Sequence, residues 1–92
     1  MNQVLVGAIE HKHRLRFLYD RSWRLVEPQC YGISRGGNEL LRALQLEGGD
    51  IGEQLFTISK MTGLKLLNET FDRPGPNYKK NDSAMKTIFA QL

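Results

Sequence analysis

A single cysteine, Cys30, stands among the 92 residues. One cysteine cannot close an internal disulfide or form a Cys-x-x-Cys pair, and it suits a reducing, cytoplasmic setting. Long apolar runs are also missing. Val4-Leu5-Val6 and Ala8-Ile9, closed by Glu10, are too short for a signal peptide or a membrane span, and no basic stretch precedes them. A soluble, cytoplasmic protein that does not engage membranes is expected. The motifs of catalysis are absent too: there is no glycine-rich phosphate loop and no nucleophile elbow. His11 and His13 sit two apart, which on a helix puts them on different faces, and no third ligand lies at metal spacing. No enzyme, metal site or cofactor is expected.

What is present is ordinary globular composition, 40% hydrophobic and 25% charged, in a length that fits one domain with one core. The charge is mildly basic, +3 from 13 basic and 10 acidic residues, which permits an anionic partner without requiring one. Basic residues cluster at His11-Lys12-His13-Arg14-Leu15-Arg16 and at Lys79-Lys80.

The hydrophobic period predicts a helix over residues 3–13, with Asn2 as its N-cap and Val4, Leu5, Ala8 and Ile9 as its apolar stripe. Alternation then predicts strands over 14–20, 24–34, 39–47, 54–59 and 64–69. Asp20-Arg21-Ser22 and Ser34-Arg35-Gly36-Gly37-Asn38 read as turns. Pro28 and Gly32 predict a bulge or an edge position in the second strand. Pro74-Gly75-Pro76-Asn77 breaks the chain, and Asn81 or Asp82 can cap a second helix over 82–91. Phe17, Val26, Leu41, Phe56, Ile58 and Leu66 are the expected core. The fold class is therefore mainly β: a five-stranded antiparallel sheet, strongly bent or closed as a small barrel, with a helix at each end.

Two features bear on binding. Arg42 shares a strand face with Leu40, Leu44 and Leu46 and needs a partner or water; a structural ion pair with Glu27 and a ligand contact are both open. Tyr19, Trp23, Tyr31 and Phe56 lie among basic residues, the mixture with which small barrels bind single-stranded nucleic acid, although aromatics in a β domain are more often core.

The order Ala8-Ile9, Arg14-Leu15-Arg16-Phe17-Leu18-Tyr19 and Arg24-Leu25-Val26-Glu27-Pro28 resembles the opening of a WYL domain. The likeness continues through the Arg35-Gly36-Gly37-Asn38 hairpin, Leu55 to Met61, and Leu64 to Phe71, covering roughly residues 4–72. Its most specific element is Arg24-x-x-Glu27-Pro28 after the Tyr19 strand. The tail from Tyr78 to Met85 is similar to tails of short stand-alone relatives. The tripeptide that names the family is replaced by Glu39-Leu40-Leu41, and Lys60 stands at an arginine position. Residues 1–13 leave no room for a helix-turn-helix.

The resemblance implies one domain over 1–92, with an Sm-like or SH3-like barrel over about 14–71 and an extension over 72–92. It implies a ligand-binding module of bacterial transcription regulation or defence, recognising an anionic ligand such as a nucleotide or short single-stranded nucleic acid. Arg24, Arg42 and Lys60 are the expected charged contacts, and Tyr19 and Tyr31 the stacking or hydroxyl contacts. The alternative is a protein-interaction module, a homodimer or a partner-protein binder, using the leucine-rich third strand and the C-terminal helix.

Overall fold

The computed structural model describes residues 1–92. The chain runs α1 (Gln3–His11), β1 (His13–Tyr19), β2 (Ser22–Ile33), β3 (Glu39–Glu47), β4 (Gly52–Thr57), a 3₁₀ turn (Ile58–Lys60), β5 (Thr62–Thr70) and β6 (Thr87–Gln91). Strands take up 52% of the residues.

Local chemistry sets the first joints. The Asn2 side chain accepts hydrogen bonds from the Val4 and Leu5 amides, which caps α1, and Lys12 ends the helix in the left-handed region at φ 55°. Leu5, Ala8 and Ile9 are the buried face of α1. In β1 the period changes to two: Leu15 and Phe17 are fully buried, while Arg14 and Arg16 face outward. Asp20 and Arg21, both at positive φ, make the tight turn that sets Tyr19 opposite Ser22.

All pairings are antiparallel, in the path β4-β3-β2-β1-β5, with β6 added on β2. The spine is β2. One of its edges pairs with β3 from Leu25 to Ile33. The other is shared: Ser22 to Val26 bond to β1, and Cys30 to Ile33 bond to β6. The changeover falls at Gln29, where the β2–β3 register shifts between Pro28 and Cys30, as Pro28 predicts. β4 and β5 are the two ends of the path and are not hydrogen-bonded to each other.

The expected second helix is a correction. Asp82 does cap, accepting from the Ala84 amide, but only a turn follows, and Thr87–Gln91 is a strand. Ala84, Met85, Ile88, Phe89 and Leu92 fit helical spacing. The unpaired edge of β2 offers the backbone of this segment a hydrogen-bonding partner, and β-branched Thr87 and Ile88 suit it. Gly32 makes the seat: a Cβ there would collide with the Thr87 carbonyl oxygen. The sheet thus has six strands and the molecule one α-helix.

The main core joins Leu5, Ala8 and Ile9 of α1 to Leu15, Phe17, Val26, Tyr31, Leu41, Ala43 and Phe56. Phe17, Val26, Leu41 and Phe56 are buried as expected. Ile58 is partly buried, because the 3₁₀ turn interrupts the expected fourth strand. Leu66 is 45% exposed, because β5 pairs only with β1 at the end of the path. A second cluster joins Cys30 of β2 and Leu40 of β3 to Met85, with Ala84 and Ile88 packed against it.

Candidate functional site

The five sequence-predicted residues do not form one site. Tyr19 packs edge-on against Phe17 and Phe56, and its hydroxyl accepts the Thr57 amide. Tyr31 is fully buried; its hydroxyl donates to Glu39 and accepts the Asn2 amide. Burial, reinforced by the Glu39 bond, pushes this phenol up to about 12. The Tyr31 ring is closed off in the core, whereas Tyr19 is half-buried, with the Arg24 guanidinium 5.7 Å from its ring centroid.

Arg24 directs its guanidinium at the Tyr19 carbonyl (3.0 and 3.3 Å) and at Gln45 Oε1 (3.1 Å). It ties the β1–β2 turn to β3. Arg42 pairs with Asp82 and not with Glu27, which instead accepts from Arg14 at 2.9 Å. Hydrogen bonding to Arg42 holds the Asp82 carboxyl below its ordinary range. Lys60 ends the 3₁₀ turn. Arg24 and Arg42 border different cavities, and Lys60 borders neither.

The first cavity is an open groove of about 390 Å³, lined by Arg16, Trp23, Arg24, Leu25, Glu47, Leu67 and Glu69. Trp23 is 48% exposed, unlike Tyr19 and Tyr31. The Arg16 guanidinium lies over it, 4.3 Å from the ring centroid. Lys65 on β5 is the register partner of Arg16, and residues directly opposite share a sheet face. Gly63, at φ +62°, passes so close to the ring that a Cβ would lie 3.0 Å from it. The indole is therefore held at its rim by backbone and on one face by a cation. Glu69 is paired to Arg14 at 3.4 Å.

Trp23 was among the aromatics visible in the sequence, and Arg16 among the clustered cations. The signal that would have singled them out is alternation: with Leu15 and Phe17 inward, Arg16 must face outward. Trp23, next to inward-facing Arg24, must do the same.

The second cavity, about 270 Å³, lies between residues 77–83 and the β3–β4 pair; Arg42, Glu53, Lys79, Lys80, Asp82 and Ser83 are among its walls. No group of three or more His, Cys, Asp or Glu side chains is placed to hold a metal. No helix is long and apolar enough to cross a membrane. No family model matches the chain, and neither a curated protein nor a solved structure does so.

Proposed function

We propose that this chain is a WYL-like binding module that recognises an anionic, base-containing ligand, a nucleotide or short single-stranded nucleic acid, by contact and without turnover. The observation that carries the reading is Trp23, exposed on the sheet face with the Arg16 guanidinium 4.3 Å from its ring centroid. A base stacks on the indole, and Arg16 and Lys65 take the adjoining phosphates. Tyr19 and Tyr31 act behind this surface by fixing the sheet that presents it, and Arg24, at the groove's wall, ties the β1–β2 turn to β3.

The WYL-like reading is supported by α1 leading into a strand that ends at Tyr19, by Arg24-Leu25-Val26-Glu27-Pro28 inside β2, and by the bulge that bends β2 at Gln29. A strongly bent, Sm-like arrangement of the five strands fits that order. A role in bacterial transcription regulation or defence rests on the same resemblance. The alternative, a protein-interaction or self-association module, keeps less support: Leu40 and Leu41 of β3 are buried while Leu44 and Leu46 are half-buried, and β6 stands where it needs a C-terminal helix.

The test is fluorescence anisotropy of labelled single-stranded oligonucleotides at two salt concentrations. Trp23→Ala is expected to weaken binding roughly ten- to hundredfold, the usual worth of one stacked base. Arg16→Ala is expected to weaken it and to flatten its salt dependence. Absence of binding, or binding indifferent to Trp23 and to salt, overturns the proposal.

A further inference from the structure

The cavity under residues 77–83 has features that the Trp23 groove does not explain. Its walls are almost wholly polar, with one hydrophobic residue among nine. Lys79 and Lys80 both border it and take part in no ion pair. Arg42 joins them from β3. It commits Nε and Nη2 to Asp82, leaving Nη1 without a partner. The peptide N–H groups of Lys79, Lys80 and Ser83 make no hydrogen bond within the fold. Asn81, at φ 61°, turns the backbone between them. Donors thus gather around a space of about 270 Å³.

The same walls hold a group of the reverse character. Glu53 stands on β4, and its Oε2 is buried with no hydrogen-bond partner. An unpartnered buried carboxylate oxygen is costly, and an N–H group brought by a ligand would relieve it. It also repels a continuous polyanion. Asp82, by contrast, is already neutralised by Arg42.

From this juxtaposition we infer that the cleft binds a small phosphate ester that carries N–H donors, the chemistry of a nucleoside monophosphate. Its phosphate sits against Lys79, Lys80 and the free amides, and Glu53 accepts from the base. Lysine serves phosphate as a point charge, and free backbone amides supply the directed bonds. A carboxylate can take two parallel N–H bonds, as offered by a guanine edge. The cavity is small even for a ligand pocket, which suits a mononucleotide and excludes a strand. This site stands on β3, β4 and the 77–83 segment, whereas the Trp23 groove stands on β1, β2 and β5. It does not depend on the reading proposed for that groove.

The test is an amide-shift NMR titration of the full chain with guanosine 5′-monophosphate, guanosine and inorganic phosphate, each in turn. The expected result is shifts in residues 77–83, separate from any at the Trp23 groove, with the nucleotide binding there about tenfold or more tighter than either fragment, the usual worth of a charged hydrogen bond. Lys79→Ala with Lys80→Ala is expected to weaken the nucleotide about tenfold by the same measure. Both lysines are surface residues, so an unchanged melting temperature will verify the fold. Glu53→Gln is expected to abolish the preference for nucleotide over phosphate, and Trp23→Ala to leave these shifts unchanged. Nucleotide and phosphate binding equally, no shift in 77–83 at millimolar concentration, or shifts that vanish with Trp23→Ala would each overturn the inference.

Discussion

Arg42 Nε lies 2.7 Å from Asp82 Oδ2, and Nη2 lies 3.3 Å from Oδ1. This two-point ion pair fastens the segment between β5 and β6 across the outer face of β3. Met85, on that segment, packs against Cys30 of β2, with Cys30 Sγ 3.5 Å from Met85 Sδ. Asp82→Ala should cost about 2 kcal/mol, between the values for exposed and buried pairs, since the arginine keeps partial contact with water. It should also loosen the cover over Cys30. Burial pushes that thiol up to about 11, so it should react slowly with a thiol reagent at neutral pH, and clearly faster in Asp82→Ala.

The same pair sets a response to acid. The folded-state pKa of Asp82 is lowered from 3.8. Its contribution to stability is therefore fully present above about 3.8 and is lost as pH falls through the lower folded value. Wild type should lose stability across that range more steeply than Asp82→Asn. Identical acid unfolding of the two proteins would show that the pair does not hold the segment.

Gly32 is where β6 meets β2. A methyl group there would strike the Thr87 carbonyl oxygen, with Met85 Sδ 2.9 Å away. Backbone cannot yield as a side chain can, so Gly32→Ala should displace β6. Amide hydrogen exchange is the measurement. Protection should fall in residues 87–91 and in Cys30 to Ile33, while the β1–β2 pairing keeps its protection. Uniform loss across all strands would mean that β6 is not a separable addition.

Much of this fold was legible because alternation and turn chemistry are local. Glu39–Glu47 is a strand at both its predicted ends, and Asn2 caps α1 as its residue type suggests. The C-terminal strand was not legible. Its apolar spacing satisfies a helix, and what decides against one is an unpaired edge of β2 more than fifty residues away in the chain. The partner of Arg42 was hidden for the same reason, since Asp82 arrives only when that segment crosses the sheet. Tyr19 and Tyr31 look alike in sequence to an exposed aromatic. Their hydroxyls meet Thr57 and Glu39 only in the folded chain.

Tyr31 and Cys30 set a response to alkali. Their folded values, about 12 and about 11, exceed the ordinary 10.0 and 9.0. A raised pKa gives stability that is present below the ordinary value and is lost as pH rises through the folded one. Stability should therefore decline from about pH 9 toward 12. Phenolate absorbance should show one tyrosine ionising last. Glu39→Gln removes the charge beside that hydroxyl and should bring this late ionisation to lower pH. An unshifted titration would mean that the bond to Glu39 does not form.

Phe56 tests the centre of the sheet. Its ring centroid lies 5.0 Å from those of both Phe17 and Tyr19, at near-perpendicular angles. The next amide, Thr57, donates to the Tyr19 hydroxyl at 3.1 Å. β4 pairs only with β3, so packing must hold it where one edge of hydrogen bonds is missing. Phe56→Ala should cost about 3–5 kcal/mol through the lost transfer energy and the cavity left between the rings. In a small domain that lowers the melting temperature by roughly 4–8 °C for each kcal/mol. Leu66→Ala is the comparison, because Leu66 is half exposed on an end strand and should cost less than about 1 kcal/mol. Equal melting temperatures for the two variants would mean that the aromatic cluster does not anchor β4.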